Sequence, residues 1–122
     1  MEVLYSVETV DLAWQKKLPP NIIVTASGTA SSGGWSDFAL SQHVHIQPPA
    51  DGVQEFTLVG RPPAGPATEA LAPGKIAVAV LHDVDEANYW GEGLPLNGVR
   101  VHAASNKIEC KLDQAVIEDK AA

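Results

Sequence analysis

Short apolar runs with a period of two, cut apart by proline- and glycine-rich breaks, leave this chain few ways to fold. After the break at Pro19-Pro20-Asn21, the residues Ile22, Val24 and Ala26 share one face of an extended segment, because successive side chains of a strand point to opposite sides. "VLYSVE" sets Val3, Tyr5 and Val7 against Ser6 and Glu8, and "VQEFTLVG" sets Phe56 and Leu58 against Glu55 and Thr57. "GVRVHAA" turns Val99, Val101 and Ala103 inward and leaves Arg100 and His102 outward. "KIAVAVLHD" is apolar on both faces, the pattern of a central strand. "KIECKLD" places Ile108, Cys110 and Leu112 opposite Glu109 and Lys111. Helical spacing is limited to single turns, for which "ATEAL" and "DEANYW" are the candidates. The expected fold is all-β: an antiparallel two-sheet β-sandwich of seven to eight strands, immunoglobulin-like or related, with a closed β-barrel as the alternative.

The connections agree with strands. "PPADG" from Pro48 to Gly52 combines a fixed proline φ with an Asp-Gly corner, and "AASNK" is short enough for a hairpin. "SGTASSGGWSD" (Ser27 to Asp37) suits a bulge or a turn into the strand from Phe38. It lacks the Lys-Ser/Thr ending of a phosphate-binding loop. Arg61 to Gly74 is proline- and alanine-rich and is expected to cross between sheets, and Asp83 to Gly98 is the longest loop. A chain of 122 residues fits a single domain spanning 1–122, with 114–122 a tail that frays or forms a short helix.

Charge narrows the partners. Fifteen acidic against eight basic side chains give a net charge of −7, which repels phosphate backbones and anionic membranes. Neither nucleic acid nor membrane is an expected partner. The single cysteine, Cys110, forms no internal disulfide and is read as a small core hydrophobe. No run approaches the ~18 apolar residues of a membrane span, and the first residues lack the basic and apolar regions of a signal peptide. The default expectation is a cytoplasmic protein, although a removed signal peptide would leave the same sequence.

Chemistry could enter through "SQHVHIQPP". His43 and His45 lie two apart and so share one side of a strand, as two ligands of one metal would. Alternation puts Leu40, Val44 and Ile46 inward and both imidazoles on a wet outer face with Ser41 and Gln47. Catalytic zinc needs a third ligand, for which His82, His102, Asp83 and Asp85 are the candidates. The "HVH" triplet resembles the His-x-His of metal-binding cupins, in which a glutamate soon follows; Pro49 and Ala50 hold those places here. "SGGW" and "GRPP" look similar to loop motifs of chagasin-type cysteine-protease inhibitors, but the Asn-Pro-Thr-Thr-Gly stretch of that family is missing. No activity follows from either resemblance. "HDVDE" clusters carboxylates without the fixed offsets of a calcium loop.

Trp35 in "GGWS" and Tyr89-Trp90 in "NYWGEG" lie in glycine-flanked loops. Aromatics in loops at one end of a sandwich can anchor a protein, peptide or carbohydrate. The competing role for each tryptophan is a plug over the core, its indole N–H bonded to a loop carbonyl. Trp14 is expected to pack in the core or at a strand edge. The leading expectation is a non-catalytic binding or interaction module that uses Trp35, Tyr89 and Trp90, with self-association through a sheet face or edge as a companion. No cofactor is expected in that case. The alternative is a metal-dependent enzyme built on His43 and His45 with His82, His102 or Asp85.

Overall fold

The structure, a computed structural model, describes residues 1–118. Among the described residues nine strands form in chain order: β1 (Glu2–Val3), β2 (Ser6–Gln15), β3 (Asn21–Ala30), β4 (Ser36–Gln42), β5 (Val53–Arg61), β6 (Ala72–Leu81), β7 (Gly98–His102), β8 (Lys107–Lys111) and β9 (Val116–Glu118). The only helical pieces among the described residues are 3-10 turns at Glu86–Asn88 and Leu112–Gln114. The first sheet has β5 at its centre, with β4 on one side and β7 then β8 on the other; β1 also pairs with β5. The second sheet runs β6-β3-β2-β9.

The two sheets stay separate, so the fold is an all-β sandwich and not a barrel. Each sheet is mixed, which corrects the antiparallel expectation: β5 runs parallel to β7, and β2 parallel to β9. Parallel neighbours need a long crossover. The first pair obtains one from the chain between Arg61 and Gly98, which visits the second sheet as β6 before returning. Nothing in this strand order assigns an immunoglobulin-like topology.

Leu4, Val7, Ile22, Val24, Ala26, Leu58, Val99 and Val101 are fully buried between the sheets, with Phe56 almost so. Three departures from simple alternation have physical reasons. Val3 and Tyr5 are exposed while Leu4 is buried, because the chain leaves the first sheet at Val3 and enters the second at Ser6, resetting its parity. β6 is an edge strand and not a central one: it pairs only with β3, and Ile76, Val78 and Val80 face solvent. Val44 and Ile46 are 93% and 100% exposed. The pairing of β4 with β5 ends at Gln42 opposite Phe56, and apolar residues beyond that point have nothing to cover them. Alternation assigns a side, but it does not supply a lid.

After the Leu112–Gln114 turn the chain adds β9 alongside β2, and residues 119–122 lie outside the described part. Cys110 is buried, and that burial raises its thiol pKa.

Candidate functional site: a histidine–carboxylate ladder under an aromatic loop

On β5 the inward side chains are Gln54, Phe56 and Leu58, leaving Glu55 and Thr57 on the outer face of the first sheet. The register carries this face across the strands. Glu55 lies opposite Arg100, and Arg100 opposite Glu109; Thr57 lies opposite His102, and His102 opposite Lys107. His43 follows β4, and its backbone N–H donates to Glu55 O at 2.9 Å. The outcome is a polar ladder over β5, β7 and β8.

Glu55 is its hub. His102 Nε2 donates to Glu55 Oε1 at 2.7 Å, and Arg100 donates to the same oxygen at 3.0 Å. His45 Nε2 lies 3.7 Å from Oε2. These bonds stabilise the charged carboxylate, the His102 bond most strongly and Arg100 next, and lower its pKa to about 2. Arg100 also donates to Asp51 at 3.0 Å and to Glu109 at 2.7 Å, so one guanidinium serves three carboxylates and its own pKa rises.

The imidazoles of His43 and His102 stack at 5.5 Å between centroids, with 11° between planes. His43 Nε2 hydrogen-bonds Thr57 Oγ1 at 2.7 Å. Burial, with the neighbouring His102 charge second, depresses the His43 pKa. His45 stands edge-on to Trp90 at 5.1 Å, and Trp90 edge-on to Tyr89 at 4.9 Å. Among the described residues, His45 Nδ1 is the buried side-chain polar atom without a hydrogen-bond partner.

Three of the four histidines are therefore neighbours around Glu55. They do lie on the outer side of the sheet, but partly sheltered: the His45 side chain is only 17% exposed. His82 is apart, exposed just past the end of β6. Asp83 pairs with Lys17 at 2.8 Å, and Asp85 accepts from the Asn88 amide; neither reaches the ladder in these contacts. Among the described residues no group of three or more His, Cys, Asp or Glu is disposed to hold a metal ion. A carboxylate-oriented imidazole such as His102 has the makings of a general base. The hydroxyl at hand, Thr57, is bonded to His43 instead.

The aromatic residues divide. Trp90 Nε1 donates to Gly52 O at 3.0 Å, at the start of β5, whereas Trp35 precedes Ser36, which pairs with Arg61 at the other end of that strand. The rise of a strand sets the two ends of β5 roughly 25 Å apart. Trp35 donates its own N–H to Ser32 Oγ at 3.0 Å. Both tryptophans pack partly buried against the core with the indole N–H satisfied, and it is Trp90 that makes ring contacts with Tyr89 and His45.

Gln54, which drew no notice in the sequence, connects the parts. It is 1% exposed; its amide donates to His43 O and Glu55 O, and its carbonyl accepts from Tyr89 O–H and the Gln42 amide. The signal that could have found it is a glutamine in an apolar register position of β5, since a buried amide must have partners. Glu55 and Arg100 were legible only as outward residues. Their meeting depends on the parallel pairing of β5 with β7.

Two hollows lie near these elements. One of about 400 Å³ abuts the ladder, lined in part by Asp51, Glu86, Asn97 and Glu109. An apolar groove of about 670 Å³, lined by Trp14, Leu18, Pro20 and Ile117, shares no residue with the ladder. The fold and site define an all-β sandwich with a polar ladder under an aromatic loop. No family model matches this chain, and no curated protein or solved structure is found to match it either. Among the described residues no helix is long and apolar enough to cross a membrane.

Proposed function

We propose that this protein is a non-catalytic binding module whose contact surface is the Tyr89–Trp90–His45 cluster. The observation that supports it most is the mutual bracing of the three rings. The Tyr89 and Trp90 tips are spent on internal bonds to Gln54 and Gly52, so ring surface and not polar tips is left for a ligand. Rigid aromatic surface gives contact area at small entropic cost. Beneath it, Glu55 and Arg100 are committed to each other and to their neighbours, which suits a scaffold better than a group that must change protonation during turnover. The ligand classes that fit half-exposed rings are a peptide, a protein loop or a carbohydrate.

Peptide and glycan arrays probed with the whole chain supply the test. Binding should disappear in Trp90→Ala and persist in Trp35→Ala, with both variants folded by circular dichroism. Undiminished binding by a folded Trp90→Ala variant contradicts the reading.

One observation favours a second reading, a metal-dependent enzyme: His43, His45 and His102 gather at Glu55. Side-chain rotations would have to bring their nitrogens to one centre. Calorimetric titration with zinc would show stoichiometric uptake that His43→Ala and His45→Ala each abolish. Absence of uptake by the folded wild-type chain dismisses it.

A further inference from the structure

We propose that β6 pairs with β6 of a second copy of this chain, antiparallel about a two-fold axis, joining the two second sheets into one. This inference is independent of the ligand-binding reading above.

Strand edges are templates for association, and sandwiches usually blunt them with charge, proline, bulges or brevity. Four of the five outer strands among the described residues do so, β1 by being only two residues long. β4 carries Asp37 and a register shift, β8 is five residues long with Lys107, Glu109 and Lys111, and β9 has three residues. In β6 the defences stop at Lys75. Ile76–Leu81 is six residues without charge, proline or glycine. Its β-branched side chains face solvent, with Ile76 61% and Val78 56% exposed. The neighbouring outward residues on β3 are Ser27, Thr25 and Ile23, all uncharged.

The occupant follows from the strand's self-complementarity. With the axis through Val78, that residue faces its own copy, Ile76 faces Val80, and Ala77 faces Ala79. These rungs are the β-branched pairs that stabilise neighbouring strands. The charged residues that flank the segment are already engaged within each copy, Lys75 over the Phe38 ring and Asp83 with Lys17, so neither opposes the pairing. A chain of net charge −7 resists self-association, yet none of its acidic residues falls within Ile76–Leu81. The arrangement is isologous and closed, so it yields a dimer and not a fibre.

Sedimentation of the full chain over a concentration series tests this. The wild type should sediment as a dimer. Val78→Lys, which sets two ammonium groups against each other on the axis, should weaken the dimer about tenfold or more. Its circular dichroism should stay unchanged, since residue 78 faces solvent in the single copy. A wild type that is monomeric at every concentration overturns the proposal. So does a dimer indifferent to Val78→Lys, which would place any association on another surface.

Discussion

His102 Nε2 and Glu55 Oε1 meet at 2.7 Å across the parallel pairing of β5 and β7, and Arg100 closes on the same carboxylate oxygen. One side chain thus ties the strand that follows the histidine segment to the strand that follows the aromatic loop. Replacing Glu55 by Gln keeps its volume but removes the charge that both donors use. Glu55→Gln should lower unfolding free energy by about 1–3 kcal/mol, a range that allows for partial solvent screening. In a double-mutant cycle, His102→Ala and Glu55→Gln should be non-additive by about 0.5 kcal/mol or more. Urea denaturation measures both quantities.

Acid should unfold the protein in two stages. The folded pKa of His43 lies below its ordinary 6.5, so the unfolded chain binds the proton first and stability falls as pH drops through that window. Glu55, held down from 4.5 to about 2, contributes stability that is present above 4.5 and lost as pH falls toward 2. Asp51, lowered chiefly by the Val53 backbone N–H and then by Arg100, acts in the same direction. At the alkaline end, burial raises the folded pKa of Cys110 and Tyr89, so their contributions are lost as pH rises past the unfolded values. Urea midpoints across the pH range should show a shallow decline below 6.5 and a steeper one below 4.5. Removing the His43 side chain should abolish the first stage alone.

Gly98 begins β7 with no room for a side chain. A Cβ there would lie 2.7 Å from Cys110 O and 3.1 Å from the Lys111 Cα, both backbone atoms that cannot swing away. Gly98→Ala should therefore force β7 and β8 apart and cost about 2–4 kcal/mol, read as a lowered thermal midpoint.

Much of this fold can be read from its period-two runs. Ile22, Val24, Phe56, Leu58, Val99 and Val101 fall on the core side as alternation requires, and the Pro48–Gly52 turn closes with Gly52 N–H on Pro49 O. The failures share one cause. Alternation is a local rule, whereas cover and pairing are settled elsewhere in the chain. Val44 and Ile46 obey the pattern and are bare, and β6 looks central yet lies at an edge. His43, His45 and His102 meet at Glu55 only because β5 takes β4 on one side and a parallel β7 on the other. No local feature of the chain announces that pairing.

Cys110 gives an independent check of the core. Its thiol is buried, and the raised pKa keeps the reactive thiolate scarce. Disulfide-exchange reagents should label it at the rate of global opening in native buffer and at once in denaturant. Rapid native labelling would show that β8 is not held against the core.

The convergence on Glu55 is tested most directly by recording imidazole nitrogen-15 resonances of the wild type and of Glu55→Gln. The substitution should move the ring signals of His102 strongly and those of His43 and His45 measurably, with His82 unaffected. Four histidines that respond alike, or a His102 that ignores the loss of the carboxylate, would contradict the ladder described for this protein.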